Sequence, residues 1–274
     1  MSLERITSKF DSKHPLLRDL KWAELITEAF GVAVVVYTGG YVAMEADAGD
    51  AIPADVVLTH GVVLGILLCI LGRYYVPHLN PVISLSALLT QRKKLNTTLF
   101  YILFQLIGSL LGALILKAVA PADLLSGAAS FSRLGFPHVP QGYSTEYILT
   151  YEAIFTFIYT MFFLMMTDAS RVIFSALFLM LAGTVSIAIF AMGPLNLSAL
   201  NPARVFGPAL ITGDWTQQSV YYYGPIAGGI LASIIYGMAC KASGKQKKYE
   251  GYGSEYDEET GLKANSPNDY DTFN

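Results

Sequence analysis

Two asparagines, each followed by proline, carry the chemistry most evident in this 274-residue chain: Asn80-Pro81-Val82 and Asn201-Pro202-Ala203. An asparagine oxygen caps a helix N-terminus well, and proline suits the first helical position, where no N–H is needed and φ is already helical. Each box therefore predicts a helix start. An asparagine that caps through its oxygen keeps its amide N–H groups to donate elsewhere, and each helix start contributes roughly half a positive charge. That is equipment for hydrogen-bond donation and cation repulsion, and it contains no nucleophile. Arg204, third after Asn201, adds a full charge in an apolar, Gly/Pro-rich stretch. A charge at membrane depth is costly and usually faces a cavity or a partner.

The elements that position these groups are short. From Asn201 to about Ile211 a helix rises roughly 16 Å, about half of a hydrocarbon core of about 30 Å. The first box opens a similar piece, ending at Thr90 before Gln91-Arg92-Lys93-Lys94. Two half-helices with Asn-Pro starts indicate an internal duplication. A third correspondence supports it: Glu28-Ala29-Phe30 opens the first apolar span, and Glu152-Ala153-Ile154-Phe155 lies in the span that opens the second half.

Only 14% of residues are charged and 53% are hydrophobic, with the charges gathered at the ends and in short runs. This is the pattern of an integral membrane protein in a lipid bilayer. The net charge of -3 averages a basic face with an acidic tail and points to no nucleic acid. Cys69 and Cys240 fall in apolar spans and read as small buried side chains. Nothing in the pattern calls for a cofactor or a metal.

In order, the chain reads as a polar arm (residues 1–21), a membrane domain (22–240) with halves at about 22–119 and 146–240, and a polar, disordered tail (241–274). Spans are predicted at Trp22–Tyr41, Val56–Gly72, Thr97–Val119, Glu146–Thr167, Val172–Met192 and Ser219–Cys240. The acidic stretch Met44–Asp55 and the long segment Ala120–Thr145 read as outer loops, and Asp168-Ala169-Ser170-Arg171 as a tight turn. Positive charge favours the cytosol, so Arg92-Lys93-Lys94 belongs on the side of the basic N-terminal arm, which requires the first half-helix to re-enter rather than cross. Both termini are then cytosolic. Three full spans per half invert the second half relative to the first, so the half-helices meet at the midplane N-terminus to N-terminus. Irregular backbone at that depth must line a cavity or be buried in protein. The sequence thus predicts an all-α bundle of six transmembrane helices and two re-entrant half-helices around a pore.

The two Asn-Pro boxes, the Arg after the second, its Gly207-Pro208-Ala209 extension and one Glu per half together resemble the aquaporin (major intrinsic protein) family over about residues 22 to 240. The first box departs from the usual Asn-Pro-Ala at Val82, and Leu197 stands where the family usually has Gly. The resemblance implies a selectivity filter of His60, Ile189, Ser198 and Arg204. It also implies support of the re-entrant loops by Glu28 and Glu152, with His78 beside the first box, and a homotetramer. It implies passive water flux without protons or ions, in a plasma or vacuolar membrane, and no enzymatic step. The His60/Ile189 pair resembles filters of vacuolar-type and ammonia-permeable members, which makes ammonia a second candidate solute. Val205 and Tyr221-Tyr222, where glycerol channels place Asp and Pro-Leu, make glycerol the weaker one. An inverted-repeat secondary transporter is the remote rival; it needs a saturable site, whereas a channel does not.

Overall fold

The computed structural model describes residues 20–126, 134–135, 137–139, 142–167, 174–192 and 198–243. Apolar runs closed by glycine or polar turns give six long helices among them: α1 (Trp22–Ala48), α2 (Pro53–Leu71), α4 (Leu95–Val119), α6 (Thr145–Thr167), α7 (Phe174–Met192) and α9 (Val220–Ala242). Two short helices follow the Asn-Pro boxes, α3 (Pro81–Leu89) and α8 (Pro202–Thr212), and α5 (Ala122–Ser126) lies in the long central connection. Five of the long helices are long and apolar enough to cross a membrane, and α7 contributes the apolar segment Leu179–Ala191. Phe30, Leu58, Val62, Ile66 and Met238 point outward, each more than half exposed, as lipid-facing side chains do. The architecture is that of an all-α membrane protein with six spanning and two re-entrant helices.

Small residues set the helix spacing, as is usual where lipid supplies no hydrophobic drive between helices. Gly108 of α4 lies directly on the Ala29 carbonyl of α1, and Gly228 of α9 lies on the Ala153 carbonyl of α6; a Cβ at either would collide with that oxygen. Ala29 follows Glu28 and Ala153 follows Glu152, so the duplication is visible in the same contact made twice. Each half-helix packs on the last long helix of the other half, α8 on α4 and α3 on α9. The two halves are therefore interlocked rather than side by side.

Helix boundaries differ from the sequence reading in places. Trp22–Tyr41 extends to Ala48 because Ala43 and Met44 are fully buried, and the helix stops only at Gly49, whose φ of 87° closes it. The expected loop from Met44 is thus helical at its start. α2 begins at Pro53, ahead of Val56, since the Ile52 N–H donates to the Asp55 carboxylate (3.0 Å) and caps that end. α4 begins at Leu95 rather than Thr97. The arm up to residue 19, the 168–171 turn, the start of the fifth span, Arg133, Leu197 and the tail from residue 244 lie outside the described residues.

After α3 the basic run is tied to both halves. Arg92 donates to Thr167 Oγ1 (2.7 Å) and the Leu164 carbonyl (3.2 Å) and stacks over Tyr236. Lys93 reaches Glu24 (3.4 Å) and the Tyr101 hydroxyl (2.7 Å), and that hydroxyl also binds Glu24. Cations at a helix C-terminus complement its dipole, which here faces the end of α3.

Candidate functional site

Each half-helix starts as its box predicts. Asn80 is extended (φ -155°, ψ 124°) and its Oδ1 accepts from the Val82 N–H (2.9 Å); Asn201 is extended (φ -142°, ψ 106°) and accepts from the Ala203 N–H (3.0 Å). The residue before each asparagine is a leucine in the left-handed region, Leu79 at φ 51° and Leu200 at φ 50°. Leucine enters that region only when its surroundings force it. Here buried glutamates do so. Glu28 accepts from the His78 N–H and the Leu79 N–H (2.7 Å each), and Glu152 from the Ala199 N–H and the Leu200 N–H (2.8 Å each). These backbone donors have no water to turn to at that depth.

Side chains complete each carboxylate differently. Gln105 of α4 donates to Glu28 (2.7 Å) and to Ser84 (3.0 Å), and Ser84 in turn contacts His78 Nδ1 (3.0 Å). In the second half, the Ser198 hydroxyl donates to Glu152 (3.0 Å). A fully buried Gln inside an apolar span was the signal for Gln105 and went unread in the sequence.

The caps also bind across the molecule. Asn80 Nδ2 donates to the Leu200 carbonyl (3.0 Å), and Asn201 Nδ2 donates to the Leu79 carbonyl (2.8 Å). The left-handed leucines aim those carbonyls at the opposite half. Capping through the oxygen leaves each asparagine two amide N–H groups; one of each pair is spent on the partner half-helix and one remains.

One cavity gathers His60, His78, Asn80, Ile189, Asn201 and Arg204, together with Val35, Leu64, Leu79, Tyr159, Val185, Ala199 and Leu200. Pro81, Val82, Pro202, Ala203, Ser198, Glu28 and Glu152 are absent from its lining. Arg204 is 5% exposed, and its guanidinium donates to the Ser198 carbonyl (2.5 Å). Ser198 therefore meets the arginine through its backbone while its hydroxyl turns away to Glu152. His60 Nδ1 pairs with the Val56 carbonyl (2.8 Å). A carbonyl only accepts, so the ring proton sits on Nδ1 and Nε2 carries a lone pair, which has no hydrogen-bond partner among the described residues. That nitrogen lies against Gly39, where a Cβ would collide with it. Ile189, on α7, is 1% exposed and forms an apolar part of the same wall.

Val82, the departure from Asn-Pro-Ala, points the other way. It is 1% exposed, and its Cγ1 occupies the space beside Gly229 of α9. The extra methyl groups are thus housed in the helix interface and not in the lumen.

Known proteins are similar to this chain in sequence and in fold. The sequence profile of the family described as Major intrinsic protein matches residues 17–236. Aquaporin-4 of Mus musculus is 28% identical over 219 residues, covering 78% of this chain and 64% of the relative. Aquaporin TIP4-4 of Zea mays is 31% identical over 189 residues, covering 69% of this chain and 72% of the relative. The lens fiber major intrinsic protein of Lithobates pipiens is 30% identical over 223 residues, covering 78% and 80%. The match spans 64% of the mouse aquaporin-4 and 57% of the bovine one. The X-ray structure of the aquaglyceroporin from Plasmodium falciparum shares the fold, with a TM-score of 0.62, 18% identity, and coverage of 79% of this chain and 94% of that one. With its inverted halves, paired Asn-Pro caps and a profile match over most of its length, the chain belongs to the major intrinsic protein family and is an integral membrane protein.

Proposed function

We propose that this protein is a passive water channel that excludes protons and other ions. The observation carrying the reading is the pair of asparagines on one cavity, each capping its own half-helix and bound to the carbonyl before the other's cap. A water at that point accepts from the remaining amide N–H groups through its oxygen and turns its hydrogens outward. A continuous proton wire cannot keep one orientation through such a centre, and two positive helix ends oppose cations. Arg204 repeats the charge barrier further along and offers donors to passing water. The reading includes a channel domain of residues 22–240 between a cytosolic arm and tail, a homotetrameric assembly, and no chemical step.

A second solute is favoured by one feature. His60 Nε2, which has no hydrogen-bond partner among the described residues, is an acceptor on the same cavity as Arg204, and Ile189 leaves the third wall apolar. Ammonia donates to the first and tolerates the last, so ammonia passes alongside water in this reading.

Stopped-flow shrinkage of proteoliposomes under an osmotic step tests the proposal. Fast shrinkage with a low activation energy, in vesicles that stay proton-tight, is expected. Shrinkage no faster than empty liposomes overturns it.

A further inference from the structure

Some lumen residues correspond between the halves, Asn80 with Asn201 and Leu79 with Leu200, while others differ, and one difference puts an aromatic ring in the wall. Val35 and Tyr159 stand at the same distance, seven residues, after Glu28 and Glu152, on the corresponding helices α1 and α6, and both line the cavity. Because the second half is inverted, the same step along the helix leads to opposite ends of the lumen. One turn beyond Val35, Gly39 touches His60. One turn beyond Tyr159, the Phe163 ring meets the His78 ring at 5.9 Å. Val35 therefore belongs to the half containing His60, Ile189 and Arg204, and Tyr159 to the half containing His78.

Where the first has a small aliphatic side chain, the second has a phenol. Tyr159 is 2% exposed, and its hydroxyl has no hydrogen bond to any described residue. Leu64 and Val185, which line the same cavity one helical turn from His60 and Ile189, are aliphatic, so the tyrosine hydroxyl and the His78 ring are the polar groups left to this end of the lining beyond the asparagines. Tyr159 belongs to the same buried apolar cluster as Phe163, Leu164 and Tyr101. A side chain packed into such a cluster resists the rotation that would admit a larger solute.

We infer that Tyr159 forms a second size-selective constriction, in series with the Arg204 filter and at the other end of the pore. The inference rests on the channel reading above. Two narrow points in series each exclude large solutes independently, while their resistances to water add, so widening either one speeds water but leaves the other to reject larger solutes. Solutes larger than water are then rejected even when the Arg204 end is opened, and Tyr159 also limits the rate at which water itself passes.

The test uses the full chain in proteoliposomes with water, urea and glycerol as probes. Four proteins are compared: the parent, Tyr159→Val to match Val35, the pair His60→Ala/Arg204→Val, and the three changes together. The pair is expected to exclude glycerol and the triple variant to conduct it, while Tyr159→Val alone raises water flux at least about twofold. Tyr159→Phe, which keeps the ring, is expected to leave glycerol excluded in the same background. Glycerol flux through the pair equal to that of the triple variant overturns the inference. Where the triple variant does not fold, unchanged water flux in Tyr159→Val overturns it instead. A parent that conducts no water counts against the channel reading alone, because Tyr159→Val then decides the constriction: newly gained flux upholds it and continued closure overturns it.

Discussion

Cγ1 of Val82 fills the space that a side chain on Gly229 would need. The pair joins the first half-helix to the last spanning helix, and Ser233 and Ser86 both bond the Gly229 carbonyl, at 2.7 and 3.4 Å. Gly229→Ala forces Val82 toward the lumen or α3 off its seat, and overpacking of this kind costs about 1–3 kcal/mol. Thermal unfolding in detergent is expected to show that loss, and Val82→Ala in the same chain to recover most of it. Independent, additive losses from the two changes would mean that the residues are not coupled.

Ser198 meets Glu152 through its hydroxyl and Arg204 through its carbonyl. Ser198→Ala removes one hydrogen bond to Glu152, worth about 1–2 kcal/mol, and leaves both amide donors in place. Reduced thermal stability with near-parental water flux is expected. A cysteine at the same position points its thiol at Glu152, so a mercurial applied to Ser198→Cys proteoliposomes should leave flux unchanged relative to the parent. Rapid block of that variant alone would place the side chain on the lumen.

Asn201→Asp keeps the cap but loses the donor to the Leu79 carbonyl, a bond worth about 1 kcal/mol, and adds negative charge beside the Asn80 box. Lower stability and a rise in cation or proton leak are expected, read by vesicle pH dyes alongside light scattering. Vesicles as proton-tight as those of the parent would show that the amide is not needed for exclusion.

His60→Phe removes the free acceptor and keeps an aromatic wall against Gly39. Water flux is expected to persist while ammonia flux, followed by internal alkalinisation, falls at least about fivefold. Ammonia flux absent from the parent would end the ammonia reading and leave the water reading standing.

Lys93 lies between α3 and α4, and burial holds its ammonium below the usual 10.5, against the pull of Glu24 and Glu28. The unfolded chain then holds this proton more tightly than the folded one. Between the lowered value and 10.5, stability from this group rises with pH. Lys93→Met should flatten that rise in thermal-unfolding profiles, and identical profiles would remove Lys93 as its source.

Much of this molecule was legible in one dimension. Asn80-Pro81 and Asn201-Pro202 announce helix starts through local chemistry, and the half-length of the helices they open forces re-entry. The hidden features depend on pairs far apart in the chain. The end of α1 at Ala48 is decided by the burial of Ala43 and Met44 against neighbours, not by local propensity. The turning of Ser198 toward Glu152, and of Val82 toward Gly229, is set by which side of a short helix meets which long one. Leu79 and Leu200 carry no sign in their type that they adopt positive φ; the glutamates that hold them there are about fifty residues away in sequence.

The crossed bonds between Asn80 and Leu200, and between Asn201 and Leu79, bear on how the protein is made. During synthesis Asn80 emerges long before its acceptor, which lies 120 residues further along. Until then, α3 dips into the bilayer with an amide donor and the Leu79 carbonyl unmet, supported only by Glu28 and whatever water or membrane-insertion machinery shields it. The centre of the pore closes only when the second half has folded back over the first. A chain halted before α8 therefore holds no finished half of a pore, because each box takes its crossing bond from the other half.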